Sequence, residues 1–452
     1  MNTAKTKLWS DKLWIRPFKN AGILLLGRGT QAILSIAYLA LATRALGLEN
    51  FGYLVLIHGL ALTAAQIIRF QTWQAVLSLG AKQIKENDMD RFNNSISFSV
   101  WLDILSSIAG IVILQALIPH MADWLHIPLE LVTMVRIYVL GIVILILTSV
   151  PEGLLKLFDR HDLISIQTVI EPVIRFAGAL FLFFTNGVLI NFIWLWLIAL
   201  IAGRLIGIYL SIALLKQKDL LRHIDLSIKH FIKPEKGLWR FVIGTNISAS
   251  LNINNHQLAT VLCGWLLGPS GAGLYRVGQQ ISNIISKPAS KLLTPAIYTD
   301  MAELSASGDH HKSGKVILQT SIIALGASGL LFAILACCGK YAITLIAGEE
   351  YINAYPVMMT LAVAGLLQII AFPLEPMLVS AQRIKETVIT KILAISLYCI
   401  AFIVLASSYD LIGAGLAMIT YSLVNACLLW IFSARYLMSL KAASQQTTGA
   451  TN

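Results

Sequence analysis

Five arginines lie inside apolar stretches of the first half of the chain, where a membrane-spanning helix would leave them without water: Arg28, Arg69, Arg136, Arg175 and Arg204. An arginine at mid-span costs about 2.5–3.5 kcal/mol on insertion scales, so five facing lipid would cost roughly 15 kcal/mol. That rivals the whole stability of a domain, about 5–15 kcal/mol. Most of them must therefore face water, a counter-charge or a bilayer surface. An excess of buried positive charge predicts an anionic ligand.

Acidic side chains that can balance these arginines are few. Glu171 lies four residues before Arg175, so in a helix the two share a face. Asp103 is the other candidate counter-ion, and either carboxylate is a candidate titrating group for coupling to an ion or proton gradient. Two alternatives stay open: a structural ion pair for Arg175, and snorkelling to the interface for the arginines near helix ends.

Polar side chains also recur at helical spacing in several candidate spans. A helix in a membrane bundle buries apolar surface when it can, so a long polar stripe predicts contact with water or a polar ligand. Interhelical hydrogen bonding is the alternative. The eighth span carries Arg276, Gln280, Asn283, Lys287 and Lys291; the seventh carries Thr245, Ser248, Asn252 and His256; the first carries Arg28, Gln31, Ser35 and Tyr38; the second carries Gln66, Arg69 and Trp73.

The elements that must position these residues are membrane-spanning helices. The 452-residue chain is 57% hydrophobic and only 13% charged, against roughly 25% charged in a soluble domain. Apolar runs of about 20 residues span a bilayer as helices. The sequence therefore predicts an all-α integral membrane protein with about twelve spans: 20–44, 52–79, 94–118, 129–151, 164–185, 189–215, 238–267, 274–301, 315–338, 356–380, 387–406 and 411–434.

Positive charge is distributed unevenly between the segments that join the spans. Of 34 Lys and Arg, 24 lie in the two termini and in alternate loops, and the other loops hold only Arg44 and Lys340. Lys and Arg favour cytoplasmic loops, so both termini are predicted to be cytoplasmic. This asymmetry accounts for most of the net charge of +11 without a nucleic-acid partner.

The two halves of the chain resemble each other at matching positions. "LGLENFGY" after the first span and "LGPSGAGLY" after the seventh place Gly47 and Gly268 221 residues apart, and Pro151 and Pro373 are 222 apart. These landmarks predict two six-helix lobes, 1–220 and 221–452, in the same orientation. Parallel repeats of this kind are a transporter architecture with the substrate path between the lobes.

Several chemistries have no support in the sequence. No P-loop and no HExxH motif is present, and neither the histidines nor the five cysteines show metal-ligand spacing. We therefore expect no catalytic residues, no metal and no cofactor. A glycan polymerase or ligase would need a sizeable periplasmic loop, and the loops here are too short. The protein is expected to be a transporter rather than an enzyme.

Two stretches carry a resemblance to a known family, "TRALGLENFGYL" after the first span and "EGLLKLFDRHDLIS" after the fourth. With the span count and the arginine-bearing first half, the chain resembles the Wzx-type flippases of polysaccharide biosynthesis. These belong to the multidrug, oligosaccharidyl-lipid and polysaccharide exporter superfamily. The resemblance implies two lobes around a cationic central cavity that opens alternately to either side. It also implies transport of an undecaprenyl-pyrophosphate-linked glycan, such as an O-antigen unit of lipopolysaccharide, across a bacterial inner membrane.

The resemblance matches the cationic residues only in kind, and their individual roles are a hypothesis from their positions in this sequence. The pyrophosphate would be held by Arg28, Arg69, Arg175 and Arg204, and the sugars by the polar stripes, including Asn252, Gln280, Asn283, Lys287 and Lys291. Expected partners are the lipid-linked glycan, membrane lipids and glycan polymerase machinery. A cation-coupled multidrug exporter of the same fold is the alternative, but it would need acidic rather than arginine-rich surfaces.

Overall fold

The computed structural model describes residues 3–250, 255–307, 310–381 and 383–449, which form helices and short connections with no strand among them. The helices are α1 (Thr3–Ile68), α2 (Thr72–Lys85), α3 (Met89–Trp124), α4 (Leu129–Leu140), α5 (Ile142–Leu147), α6 (Ser149–Leu157), α7 (His161–Phe184), α8 (Leu189–Gln217), α9 (Lys229–Ile232), α10 (Leu238–Ser250), α11 (Asn255–Ser307), α12 (His310–Ala347), α13 (Tyr355–Ala371), α14 (Leu374–Ser380) and α15 (Ile384–Gly449).

Nine helical stretches in the described ranges are long and apolar enough to cross a membrane. Three of them contain residues with non-helical backbone, at Gly47, at Gly268 and at Tyr409 and Asp410, so each of the three is two helices joined by a tight turn. Counting those three as pairs gives twelve spans. The predicted fold class, an all-α membrane protein with about twelve spans, is confirmed.

The chain divides into two compact units, Met1–Ile253 and Asn254–Asn452. Packing within the first unit extends past residue 220, because Leu238 and Val242 of α10 are buried against Ala75 of α2 and Phe98 of α3. In the second unit α14 packs on α15, with Leu378 and Leu429 in the same apolar cluster. The lobe boundary at residues 220 and 221 stays a prediction.

The two turns singled out by the repeated LG motif have the same backbone conformation. Gly47 has φ 68° and ψ 179°, and Gly268 has φ 72° and ψ −179°. This region of backbone space is essentially restricted to glycine. Two residues 221 positions apart thus turn the chain in the same way, as expected for a duplicated helical hairpin.

Replacing Gly268 with alanine is expected to lower the free energy of unfolding by about 1–3 kcal/mol, the cost of holding a side-chain-bearing residue in this conformation. A Cβ at Gly268 meets nothing within 4 Å, so backbone strain alone causes the loss. The measurement is thermal unfolding in detergent. Gly326→Ala is the control, because Gly326 is helical and equally open. Equal melting temperatures for Gly268→Ala and the wild type would show that the turn tolerates a Cβ without strain.

Three spans predicted as continuous helices are interrupted in the described part of the chain. The second span breaks at residues 69–71, between α1 and α2, the fourth at Gly141 and Thr148, and the tenth at residues 372–373, between α13 and α14. Non-helical backbone is tolerated at membrane depth only where its polar groups find partners. At the first break the N–H of Trp73 donates to the Ser149 hydroxyl at 3.3 Å. The second and fourth spans therefore meet at their breaks.

Candidate functional site

The meeting point of the second and fourth spans forms a polar cluster, here called the helix-break site, made of Arg69, Gln71, Trp73, Ser149, Glu152 and Lys156. Arg69 Nη2 donates to Glu152 Oε2 at 3.0 Å, and Lys156 Nζ donates to the other carboxylate oxygen at 2.7 Å. Lys156 also lies 3.7 Å above the centre of the Trp73 ring. Two cations thus share one carboxylate beside an aromatic face, and their side chains keep 23–33% of their surface exposed.

Close packing of α6 on α2 fixes this geometry. A Cβ at Gly153 would approach the Trp73 carbonyl oxygen to 2.9 Å, so the backbones come together only because residue 153 is glycine. The Trp73 indole N–H donates to the Gln71 side chain at 2.6 Å. An aromatic ring and an amide suit sugar binding, and the two cations that share the carboxylate suit a phosphate.

Asp103 approaches the same break from α3. Its two carboxylate oxygens accept from the Thr72 hydroxyl at 3.0 and 2.9 Å, and the residue is 1% exposed. Thr72 begins α2, so the carboxylate lies at the positive end of that helix. The observed position makes Asp103 part of the support for the break, and its coupling role stays a prediction.

A second polar cluster lies deep in the first unit and is called the arginine hub; it consists of Tyr38, His58, Tyr138, Glu171, Arg175 and Trp196. Arg175 Nη2 lies 2.7 Å from Glu171 Oε1, and the guanidinium carbon lies 4.5 Å from the centre of the Trp196 ring. Arg175 is only 5% exposed. The predicted four-residue pairing of Glu171 with Arg175 is therefore present, in an enclosed environment.

His58 joins the hub through both ring nitrogens. Arg175 Nη2 lies 3.4 Å from His58 Nε2, and His58 Nδ1 lies 2.7 Å from the Tyr138 hydroxyl. Arginine can only donate, so Nε2 must accept and Nδ1 carries the proton. The sequence reasoning missed His58, Tyr138 and Trp196, which come from three other spans. The available signal was a lone histidine inside an apolar span.

Two glycines of α8 allow α7 and α8 to pack closely at Glu171. A Cβ at Gly203 would lie 3.2 Å from the Glu171 Cβ, and a Cβ at Gly207 would lie 2.3 Å from the Gln167 side chain. Small residues four apart allow membrane helices to approach closely. The pair Gly203 and Gly207 was visible in the sequence and was not used there.

The other predicted arginines are more open. Arg28 and Arg136 are exposed, and Arg204 is half-buried with an Nε atom that has no hydrogen-bond partner. No carboxylate lies within 4.0 Å of these three guanidiniums among the described residues. The structure therefore pairs Arg69 and Arg175 with carboxylates and leaves Arg28, Arg136 and Arg204 unpaired within the described part of the chain.

The polar stripe of the eighth span is described only in its first half. Arg276 donates to the Gln279 side chain at 2.9 Å, Gln280 is half-buried, and Asn283 is buried. Asn252 and the side chains of Lys287 and Lys291 lie outside the described residues. The roles of Gln280, Asn283 and these three stay predictions.

About twelve spans, interrupted helices at membrane depth and polar clusters at the interruptions define a membrane protein with a transporter fold. Residues 18–305 match the family described as polysaccharide biosynthesis protein, and the chain belongs to this family. The resemblance seen in the sequence is thereby confirmed.

Similar proteins agree with this fold. The inner membrane protein YghQ of Escherichia coli (strain K12) is 27% identical over 324 residues, covering 72% of this chain and 90% of that protein. An inward-facing multidrug resistance transporter of the MATE family and MOP superfamily is similar in structure, with TM-score 0.75, 14% identity and coverage of 92% and 96%. A MOP superfamily transporter from Pyrococcus furiosus, described as having a binding pocket of reversed polarity, has TM-score 0.63, 16% identity and coverage of 94% and 96%.

Proposed function

We propose that this protein is a flippase that moves an undecaprenyl-pyrophosphate-linked oligosaccharide across the bacterial inner membrane, with both termini in the cytoplasm. The observation that carries the proposal is that two arginines within spans, Arg28 and Arg204, have no carboxylate partner in the described residues. Unpaired guanidiniums in a membrane protein are costly. For a member of the polysaccharide biosynthesis family, a diphosphate is the anionic ligand that we propose, because guanidiniums bind phosphate oxygens strongly.

The helix-break site and the unpaired arginines have different parts in this proposal. Arg28 and Arg204 supply charge to the diphosphate. Arg69 is held by Glu152 until a phosphate oxygen competes for it, and Trp73 and Gln71 offer a ring face and an amide to a sugar. Arg175 is assigned to the diphosphate as well, and the enclosed hub requires a conformational change before it reaches the ligand. The glycan class is an O-antigen or similar surface polysaccharide unit.

A cation-coupled multidrug exporter of the same fold is the second candidate, favoured by the structural similarity to MATE transporters. Such a protein binds cationic compounds and needs carboxylates free of partners. Here Asp103, Glu152 and Glu171 all have hydrogen-bond or ion-pair partners. This arrangement favours an anionic over a cationic substrate.

Deleting the gene is expected to abolish a surface glycan and to accumulate its lipid-linked precursor in the cytoplasmic leaflet. Glycan is measured by gel electrophoresis of cell-surface polysaccharide, and precursor by mass spectrometry of extracted lipids. Re-expression of the wild-type chain is the control. Unchanged glycan together with altered resistance to cationic dyes would instead support the exporter.

A further inference from the structure

An open pocket lies between α2 and α10 of the first unit, separate from the helix-break site and the arginine hub. Its volume is about 520 Å³, and it is lined by Gln74, Gly237, Arg240, Phe241, Gly244 and Thr245. Gln74 follows Trp73 directly, so α2 offers one residue to the helix-break site and the next to this pocket. No other feature described above uses Arg240.

The packing of α10 leaves this pocket open. Leu238 and Val242, four residues apart, bury one face of α10 against α2 and α3. Trp239 packs edge-on to Phe98, with ring centres 5.0 Å apart. The face that remains presents Arg240 and Gly244, both exposed. A Cβ at Gly244 meets nothing within 4 Å, so the absent side chain contributes directly to the open volume.

The polar groups that line the pocket are available to a ligand. Arg240 has no carboxylate within 4.0 Å, and the Gln74 side chain has no hydrogen bond, among the described residues. The Thr245 hydroxyl donates to the Val242 carbonyl at 3.1 Å and keeps its oxygen free to accept. A guanidinium, an amide and a hydroxyl acceptor suit a ligand that is both anionic and rich in hydroxyl groups.

We propose that this pocket is a subsite for the sugar-diphosphate end of the lipid-linked substrate, with Arg240 on a phosphate oxygen and Gln74 and Thr245 on sugar hydroxyls. The proposal rests on the proposed function. Positive charge in residues 216–240 predicts that α10 begins at the cytoplasmic side, which is the side where a lipid-linked precursor is loaded. A phospholipid headgroup shares the same chemistry, and the experiment separates the two.

The test measures binding of farnesyl diphosphate to the purified full-length protein in phosphatidylcholine nanodiscs. Gly244→Leu places an apolar side chain in the pocket and Arg240→Gln removes its charge, and each is expected to weaken binding about tenfold or more. Arg240→Lys should retain part of the affinity. Gly326→Leu, at an equally open helical glycine, and Arg222→Gln, at an exposed arginine paired with Asp219, are the controls and should bind as the wild type does.

Two results would overturn the proposal. One is farnesyl diphosphate affinity that is the same in the wild type, Gly244→Leu and Arg240→Gln. The other is competition by phosphatidylglycerol as strong as that by unlabelled farnesyl diphosphate, which would identify a phospholipid headgroup site. Weak competition by phosphatidylglycerol supports the substrate assignment.

Failure of the proposed function gives a different pattern. If gene deletion leaves surface glycan and precursor unchanged while binding still depends on Gly244 and Arg240, the pocket is a diphosphate site in a protein of another function. If deletion abolishes the glycan while Gly244→Leu supports normal glycan and binds normally, the flippase stands and the subsite is wrong.

Discussion

Replacing Arg175 with glutamine is expected to abolish glycan export and to lower the free energy of unfolding by about 3–5 kcal/mol, the range for breaking a buried ion pair. The guanidinium is paired with Glu171 at 2.7 Å, lies over the Trp196 ring and contacts His58. Its loss would leave a largely buried carboxylate without a partner. Export is measured as surface glycan in the deletion strain, and stability by thermal unfolding of the purified protein.

A double variant distinguishes the loss of the Arg175 charge from the loss of stability caused by an unpaired Glu171. Glu171→Gln combined with Arg175→Gln leaves no orphaned charge, so the double variant should unfold at a higher temperature than Arg175→Gln alone, yet still fail to export. Arg136→Gln is the matched control, because Arg136 is exposed and should be replaceable. Normal export by Arg175→Gln would remove Arg175 from the substrate path and from the conformational change.

Replacing Arg69 with glutamine should lower glycan export about tenfold or more, equivalent to about 1.4 kcal/mol of lost interaction, with little change in unfolding temperature. Stability is preserved because Glu152 keeps its 2.7 Å contact with Lys156. We propose that a phosphate oxygen displaces Glu152 from the Arg69 guanidinium. Arg69→Gln removes that guanidinium. The measurement is the rate of glycan appearance at normalised protein level.

Variants of Lys156 and Glu152, the two ion-pair neighbours of Arg69, provide the comparison for Arg69→Gln. Lys156→Gln leaves the Arg69–Glu152 pair and should reduce export less than Arg69→Gln. Glu152→Gln leaves two adjacent cations without their shared carboxylate, so it should be the least stable of the three. An Arg69→Gln protein that exports at the wild-type rate would show that the ion pair only holds the break between α1 and α2 against α6.

The sequence predicted those parts of the fold that depend on local patterns. Apolar runs predicted the number of spans, and the repeated LG motif located the turns at Gly47 and Gly268. The pairing of Glu171 with Arg175 was also predictable, since four residues along one helix bring two side chains together. Each of these signals lies within a short stretch of chain.

Contacts between distant segments were beyond reach of the same reasoning. Arg69 and its partner Glu152 are 83 residues apart, and His58 and Arg175 are 117 apart. Nothing local marks such a pairing in a single sequence. The breaks at residues 69–71 and Thr148 were also missed, because Arg69 was interpreted as part of a polar stripe on one continuous helix and Thr148 lies within an apolar run. The break at residues 69–71 is tolerated because a backbone group beside it has a hydrogen-bond partner on another span: the N–H of Trp73 donates to the Ser149 hydroxyl.

The matching backbone of Gly47 and Gly268 has a consequence for the ancestry of the chain. Two turns of the same conformation 221 residues apart are what tandem duplication of a six-helix unit would produce. A six-helix ancestor would return its chain to the face of the bilayer on which it began, so fusing two copies would require no additional crossing. A short connector on that face was sufficient, and the segment between α8 and α10 supplies it. The ancestral product, before fusion, would have worked as a pair of identical subunits.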